Sequence, residues 1–132
     1  MRKLVALIVL AGMSNGAAAY WMKIRDAGAL LEYNFYAEPA TIVKVRDIAR
    51  IQTLNDYKTM QARASGYRYL SLTALNECNC KTRQLRITST VLYERNMATG
   101  FSIDTLMEAL PWIAVVPGSS DEAVWKLACG NL

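Results

Sequence analysis

The sequence contains no histidine. That absence removes Ser–His and Cys–His nucleophile pairs, imidazole acid–base catalysis and every histidine-containing metal site. Cysteine is scarce as well: three thiols without a histidine or a fourth cysteine make a poor zinc set, so no metal is expected. There is no glycine-rich phosphate loop. The acids Glu32, Glu38, Glu77, Glu94, Glu108 and Glu122 are scattered, and their spacing pairs no two of them on one face of one element. No enzyme activity and no cofactor are expected. Charge of one sign is also limited. Fifteen basic residues stand against 11 acidic ones, for +4, and the charges are spread evenly, which argues against nucleic acid as a partner.

What is present begins with an export signal. Met1-Arg2-Lys3 is a short positive start, Leu4 to Met13 an apolar run, and Ala17-Ala18-Ala19 a small-residue cleavage pattern. This is the three-part layout of a secretory signal peptide, expected over residues 1–19 with cleavage after Ala19. The run falls short of the ~20 residues that span a bilayer, so no membrane span is expected after cleavage. No cysteine lies near Ala19, so lipid attachment there is not expected. Removal of the leader takes two of the 15 basic residues and none of the 11 acidic ones, which leaves +2 on a single domain, residues 20–132.

Short β-branched and aromatic runs alternate with turn signals along that domain. The expected fold class is α+β: a mostly antiparallel sheet of about six strands with one C-terminal helix on a face. Tyr20 to Arg25 reads as a first strand and Ala29 to Tyr33 as a second, shorter one, with a break at Glu38-Pro39. Ile42 to Thr53 alternates most clearly. Val43, Val45, Ala49 and Ile51 fall on one face of a single strand, and Lys44, Arg46, Arg50 and Gln52 on the other. Leu54 to Gly66 is polar and reads as a loop with some helical tendency. Arg68 to Leu72 and Leu75 to Cys80 read as extended. With the segment Leu85 to Tyr93 across a turn at Thr82, they make the best hairpin. Glu94 to Gly100 is a polar turn, Phe101 to Thr105 a last long strand, and Trp112 to Val115 a short return.

The C-terminus changes period. Ser119-Ser120-Asp121-Glu122 is a capping box, in which Ser119 bonds the backbone N–H three residues on and Glu122 bonds back. Ala123, Val124, Leu127 and Ala128 share an apolar side at helical spacing, and Gly130 is a C-terminal stop. Trp112 and Trp125 are expected to pack this helix on the sheet.

Export places the cysteines in an oxidising compartment. Cys78 and Cys80, two apart, point to the same face of a strand. Pairing them with each other fits disulfide geometry poorly. A bond from this strand to Cys129 would tie the helix to the sheet and, closing a loop of about 50 residues, contribute ~4 kcal/mol. The third thiol is then either buried and inert or free to pair between chains.

Several residues in order resemble a known family. They are Tyr69-Leu70-Ser71, Ala74-Leu75-Asn76-Glu77, Asn79-Cys80-Lys81 with Arg83 and Arg86, then Trp112, Pro117-Gly118-Ser119, Glu122, Trp125 and Cys129-Gly130. The set resembles the surface-adhesin protein E family of Gram-negative bacteria. The resemblance implies a small antiparallel sheet with a C-terminal helix held by a disulfide. By position it assigns Cys80 and Cys129 to that bond and makes Cys78 the extra thiol, free or intermolecular. It implies an exported, non-enzymatic binding protein, periplasmic or at the cell surface, whose partner is a host extracellular-matrix protein or another envelope protein. An exposed edge strand would also allow a homodimer. The alternative is a soluble periplasmic structural or accessory protein without a host ligand. Family sequences often carry Asp where this one has Asn79. The candidate binding face is Lys44, Arg46 and Arg50, joined by Arg83 and Arg86, with Tyr67, Tyr69 and Tyr93 as added contact area.

Overall fold

A computed structural model describes residues 20–28, 31–105 and 108–130. The expected signal peptide, and Ala29 and Leu30 of the short second strand, lie outside the described residues. The elements are β1 (Met22–Arg25), β2 (Tyr33–Val45), β3 (Ile48–Ala62), β4 (Arg68–Asn79), β5 (Gln84–Arg95), β6 (Thr99–Thr105), β7 (Ile113–Ala114) and α1 (Ser120–Cys129). Strands β1 to β6 form an antiparallel meander in chain order. The two-residue β7 pairs with β5 at Gln84 and Leu85. The fold is the expected α+β sheet with one C-terminal helix.

The alternating segment is a hairpin and not one strand. Chain reversal at Arg46-Asp47 sets Val43 opposite Arg50, Lys44 opposite Ala49 and Val45 opposite Ile48. Arg46 takes a φ of 55° to make the turn. Paired residues share a face, so a two-residue turn inverts the parity between the two arms. Ala49 and Ile51 are fully buried, whereas Val43 and Val45 stand on the opposite face, 58% and 67% exposed.

Nor does Pro39 end β2. It sits where the β2–β3 register slips between Glu38 and Val43, a place where a missing N–H costs little. The Thr41 hydroxyl fills the gap, accepting from the Gln52 N–H at 2.9 Å and donating to the Glu38 carbonyl at 2.7 Å. Residues 54–62, expected to be a loop, extend β3. Pairing with β2 through Tyr57 and with β4 through Ala62 overrides their polar character, at the cost of a register shift between Asp56 and Gln61. Likewise β4 runs unbroken from Arg68. Leu31 makes only an isolated bridge to Gly28, and the second strand starts at Tyr33.

The helix ends follow the local chemistry. Ser119 Oγ accepts from the Glu122 N–H at 3.2 Å. The return bond shifts by one residue, because Glu122 Oε1 accepts from Gly118 N–H at 3.3 Å while the Ser119 N–H is taken by the Val116 carbonyl. Gly130 follows Cys129 with a φ of 77°, the left-handed region where glycine is favoured.

The main core lies between α1 and one face of the sheet. Val124, Trp125, Ala128 and Cys129 pack on Phe35, Ala37, Ala49, Ile51, Cys78 and Leu85. Ala37 and Ala49 are fully buried, and their small side chains let the helix approach closely. Each large side chain removed from water here contributes about 1.5–3 kcal/mol.

Candidate functional site

The disulfide joins Cys80, just past the end of β4, to Cys129, the last residue of α1, across 49 positions of sequence. Cys78 is the extra thiol. It is fully buried between Ala49 and Leu85, and burial pushes it up to about 12. Beside the bond, the Trp125 indole N–H donates to the Asn79 carbonyl at 2.9 Å. The Asn79 side chain caps the β4–β5 turn, its Oδ1 accepting from the N–H groups of Lys81 and Thr82 at 3.1 Å. An aspartate oxygen can accept the same two bonds, which accounts for either residue before this cysteine.

The five expected contact cations are not one patch. Arg50, Glu77 and Arg86 are register neighbours on β3, β4 and β5. Glu77 is 5% exposed and accepts from Arg50 Nε at 3.1 Å and from Arg86 Nη2 at 2.8 Å. Burial alone would raise the Glu77 carboxyl. The hydrogen bonds and charges of the two arginines outweigh it and hold the group below the usual range. Arg86 also lies over the Trp112 ring, 4.3 Å from its centre. Trp112 therefore covers the arginine instead of packing the helix on the sheet, which Trp125 does. Arg83 bonds Glu122 at 3.1 Å and stacks on Trp125 at 4.8 Å.

Lys44 and Arg46 remain, and neither makes an ion pair among the described residues. Register places Lys44 and Arg50 on opposite faces. The structure assembles a different group. The Cys80 N–H donates to the Asp47 carbonyl at 2.8 Å, so the β2–β3 and β4–β5 turns touch at one end of the sheet. Exposed Lys44, Arg46 and Lys81 share that end with exposed Val43 and Val45. Lys81 was visible in the sequence as the only unassigned cation of the β4–β5 turn. Nothing local could place it beside Arg46.

The tyrosines divide. Tyr69 closes a chain of edge-to-face rings, Tyr33–Tyr57 at 5.2 Å and Tyr57–Tyr69 at 5.8 Å. Tyr67 donates to the Phe101 carbonyl at 3.2 Å. Tyr93 lines a shallow cavity on the sheet face away from the helix, with Trp21, Glu38 and Gln52. Among the described residues no three acids or cysteines converge as metal ligands, and no helix is long and apolar enough to cross a membrane.

These features define a class: a small antiparallel meander whose single helix is crosslinked to a strand end, with its polar contacts spent on holding the scaffold. The chain belongs to the surface-adhesin protein E family, whose model matches residues 21–130. It is similar in structure to Haemophilus influenzae protein E, with a TM-score of 0.67 and 10% identity over 85% of each chain. A crystal structure of protein E from non-typeable Haemophilus influenzae gives 0.64 and 12% identity, covering 87% of this chain and 78% of that one. At such identities the likeness shows the shared fold. No curated protein matches the chain in sequence.

Proposed function

We propose that the chain is an exported, non-enzymatic adhesin-type domain that binds an acidic protein ligand through the turn end of its sheet. Family membership supports the adhesive role. One observation carries the choice of surface: Val43 and Val45 stand more than half exposed on the same hairpin as Lys44 and Arg46, cations that no acid neutralises among the described residues. Val43 and Val45 give apolar contact area on one face of the hairpin, and Lys44 on the other face, with Arg46 and Lys81 at the turns, gives electrostatic steering. Arg50 and Arg86 are excluded from this surface because Glu77 already holds them, and Arg83 serves the helix.

The test is surface-plasmon resonance of the secreted domain over immobilised extracellular-matrix glycoproteins, with whole-cell antibody labelling for display. Binding that falls with salt and with Lys44→Ala, Arg46→Ala and Lys81→Ala together is expected. Labelling confined to the periplasm, with no matrix binding, sinks the adhesive reading.

A further inference from the structure

Between the first turn of α1, the helix-facing side of the sheet and the segment before β7 lies a cavity of about 320 Å³. Its walls are Tyr33, Phe35, Leu72, Ile87 and Pro111, and Asp121 opens onto it. This volume is at the lower end of the range for small-molecule sites, about 300–1,000 Å³, and an aromatic, aliphatic lining with few polar groups is their usual character.

Among the described residues the polar groups of the lining are partnered, except the Tyr33 hydroxyl and the Asp121 carboxylate. Asn76 Nδ2 donates to Thr53 Oγ1 at 2.8 Å and to the Ala74 carbonyl at 3.3 Å. Asn55 bonds the Tyr57 hydroxyl, and the Arg86 guanidinium is neutralised by Glu77 and covered by Trp112. Asp121 has no hydrogen bond or ion pair among the described residues, although it is partly buried and charged in its ordinary state. Burial raises its carboxyl, as expected for an acid facing apolar walls without a counter-charge. As the second residue of α1 it gains from the helix dipole. Ser119 already caps the helix, however, and the dipole does not require a carboxylate turned to a cavity.

We propose that this cavity binds a small organic cation, an aromatic-sized apolar body seated between Tyr33, Phe35 and Ile87 with its protonated amine on the Asp121 carboxylate. An ammonium there supplies the counter-charge the site lacks. An anion of the same shape is rejected by Asp121, and a neutral analogue loses the charge-assisted bond. The proposal is independent of the adhesive reading, since this cavity and the turn end of the sheet share no residue.

The experiment titrates the isotope-labelled secreted domain with tryptamine, tryptophol and indole-3-propionate, which differ only at the polar end of one indole side chain. Amide NMR shifts report where and how tightly each binds. Tryptamine is expected to move the amides of Asn55, Asn76, Ile87 and Asp121 and to bind about tenfold tighter than tryptophol, with indole-3-propionate weakest. Asp121→Asn, checked for an unchanged spectrum elsewhere, is expected to bring tryptamine down to the affinity of tryptophol. Equal binding of the three compounds, shifts centred elsewhere, no binding at millimolar concentration, or an undiminished tryptamine affinity in Asp121→Asn overturns the proposal. The comparison of the three ligands on the unaltered protein decides the matter even if that variant does not fold.

Discussion

The Trp125 indole N–H bonds the Asn79 carbonyl at 2.9 Å, one residue before the cysteine that crosslinks the same helix. Helix and strand end are thus joined twice, once by a polar contact and once by a covalent bond. The indole is also 5% exposed and stacked under Arg83. Trp125→Phe keeps an aromatic side chain but loses the donor and the five-membered ring, leaving the Asn79 carbonyl short of a partner and a gap in the core. A loss of about 2–4 kcal/mol is expected in urea unfolding with the disulfide intact. Cys129→Ser, which opens the 49-residue loop, is expected to cost about 4 kcal/mol.

The extra thiol is expected to be inert in the folded domain. Cys78 is fully buried and its thiol is pushed up to about 12, so thiolate is scarce at neutral pH. A thiol reagent added to the native protein at mildly alkaline pH should leave Cys78 unlabelled, and labelling should appear only in denaturant. A disulfide-linked dimer on a non-reducing gel of native protein would contradict this.

Glu77 makes stability depend on pH in a defined direction. Its carboxyl lies lower in the folded state than in the unfolded chain, because Arg86 and Arg50 outweigh the burial. The folded state therefore binds fewer protons. Its contribution is complete above the ordinary carboxylate value and is lost as pH falls through the lowered folded value. Glu77→Gln should cost about 1–3 kcal/mol at neutral pH and flatten the acid limb of the stability curve. An acid limb unchanged in the variant would assign it to other groups.

The turn between β5 and β6 carries strain that can be relieved. Met97 and Ala98 both have φ of 56°, a region that residues with a Cβ seldom occupy. Asp56 and Ser71 hold them there: Asp56 Oδ1 accepts from Met97 N–H at 2.8 Å, and Ser71 Oγ accepts from Ala98 N–H at 3.0 Å. Ala98→Gly is expected to stabilise the domain by up to about 1 kcal/mol. Asp56→Ala should destabilise it by about 1–2 kcal/mol, and thermal unfolding compares the two.

At the turn end of the sheet, Lys44→Glu, Arg46→Glu and Lys81→Glu together should leave stability within about 0.5 kcal/mol, since these side chains are exposed. Association with an acidic protein ligand should slow, with a smaller dependence on salt. Arg50→Ala is the contrast. It is expected to lower stability, through Glu77, more than binding.

The sequence by itself determined what depends on near neighbours and on composition. The missing histidine excluded imidazole chemistry outright. The helix from Ser120 to Cys129 was legible because a cap acts across three residues and a glycine stop across one. The β4–β5 hairpin was legible because its turn residues and its alternation lie within one short stretch. The pairing of Cys80 with Cys129 came with the family resemblance, and spacing left Cys78 as a rival. Tertiary structure alone decided where register and distant pairing intervene. A two-residue turn at Arg46-Asp47 sends Val43 and Ala49 to opposite faces, and no periodicity over Ile42 to Thr53 distinguishes that from one strand. Residues 54–62 are polar and become strand because β2 pairs them as far as Tyr57 and β4 pairs Leu54 to Asp56 and again Gln61 and Ala62. Glu77 meets Arg50 from 27 residues away. Asp121 reads locally as a helix-dipole acid, and only the packing of α1 against the sheet turns it toward a cavity. Side chains at contact across a sheet are chosen by register, a property of the folded pairing and not of any local window of the chain.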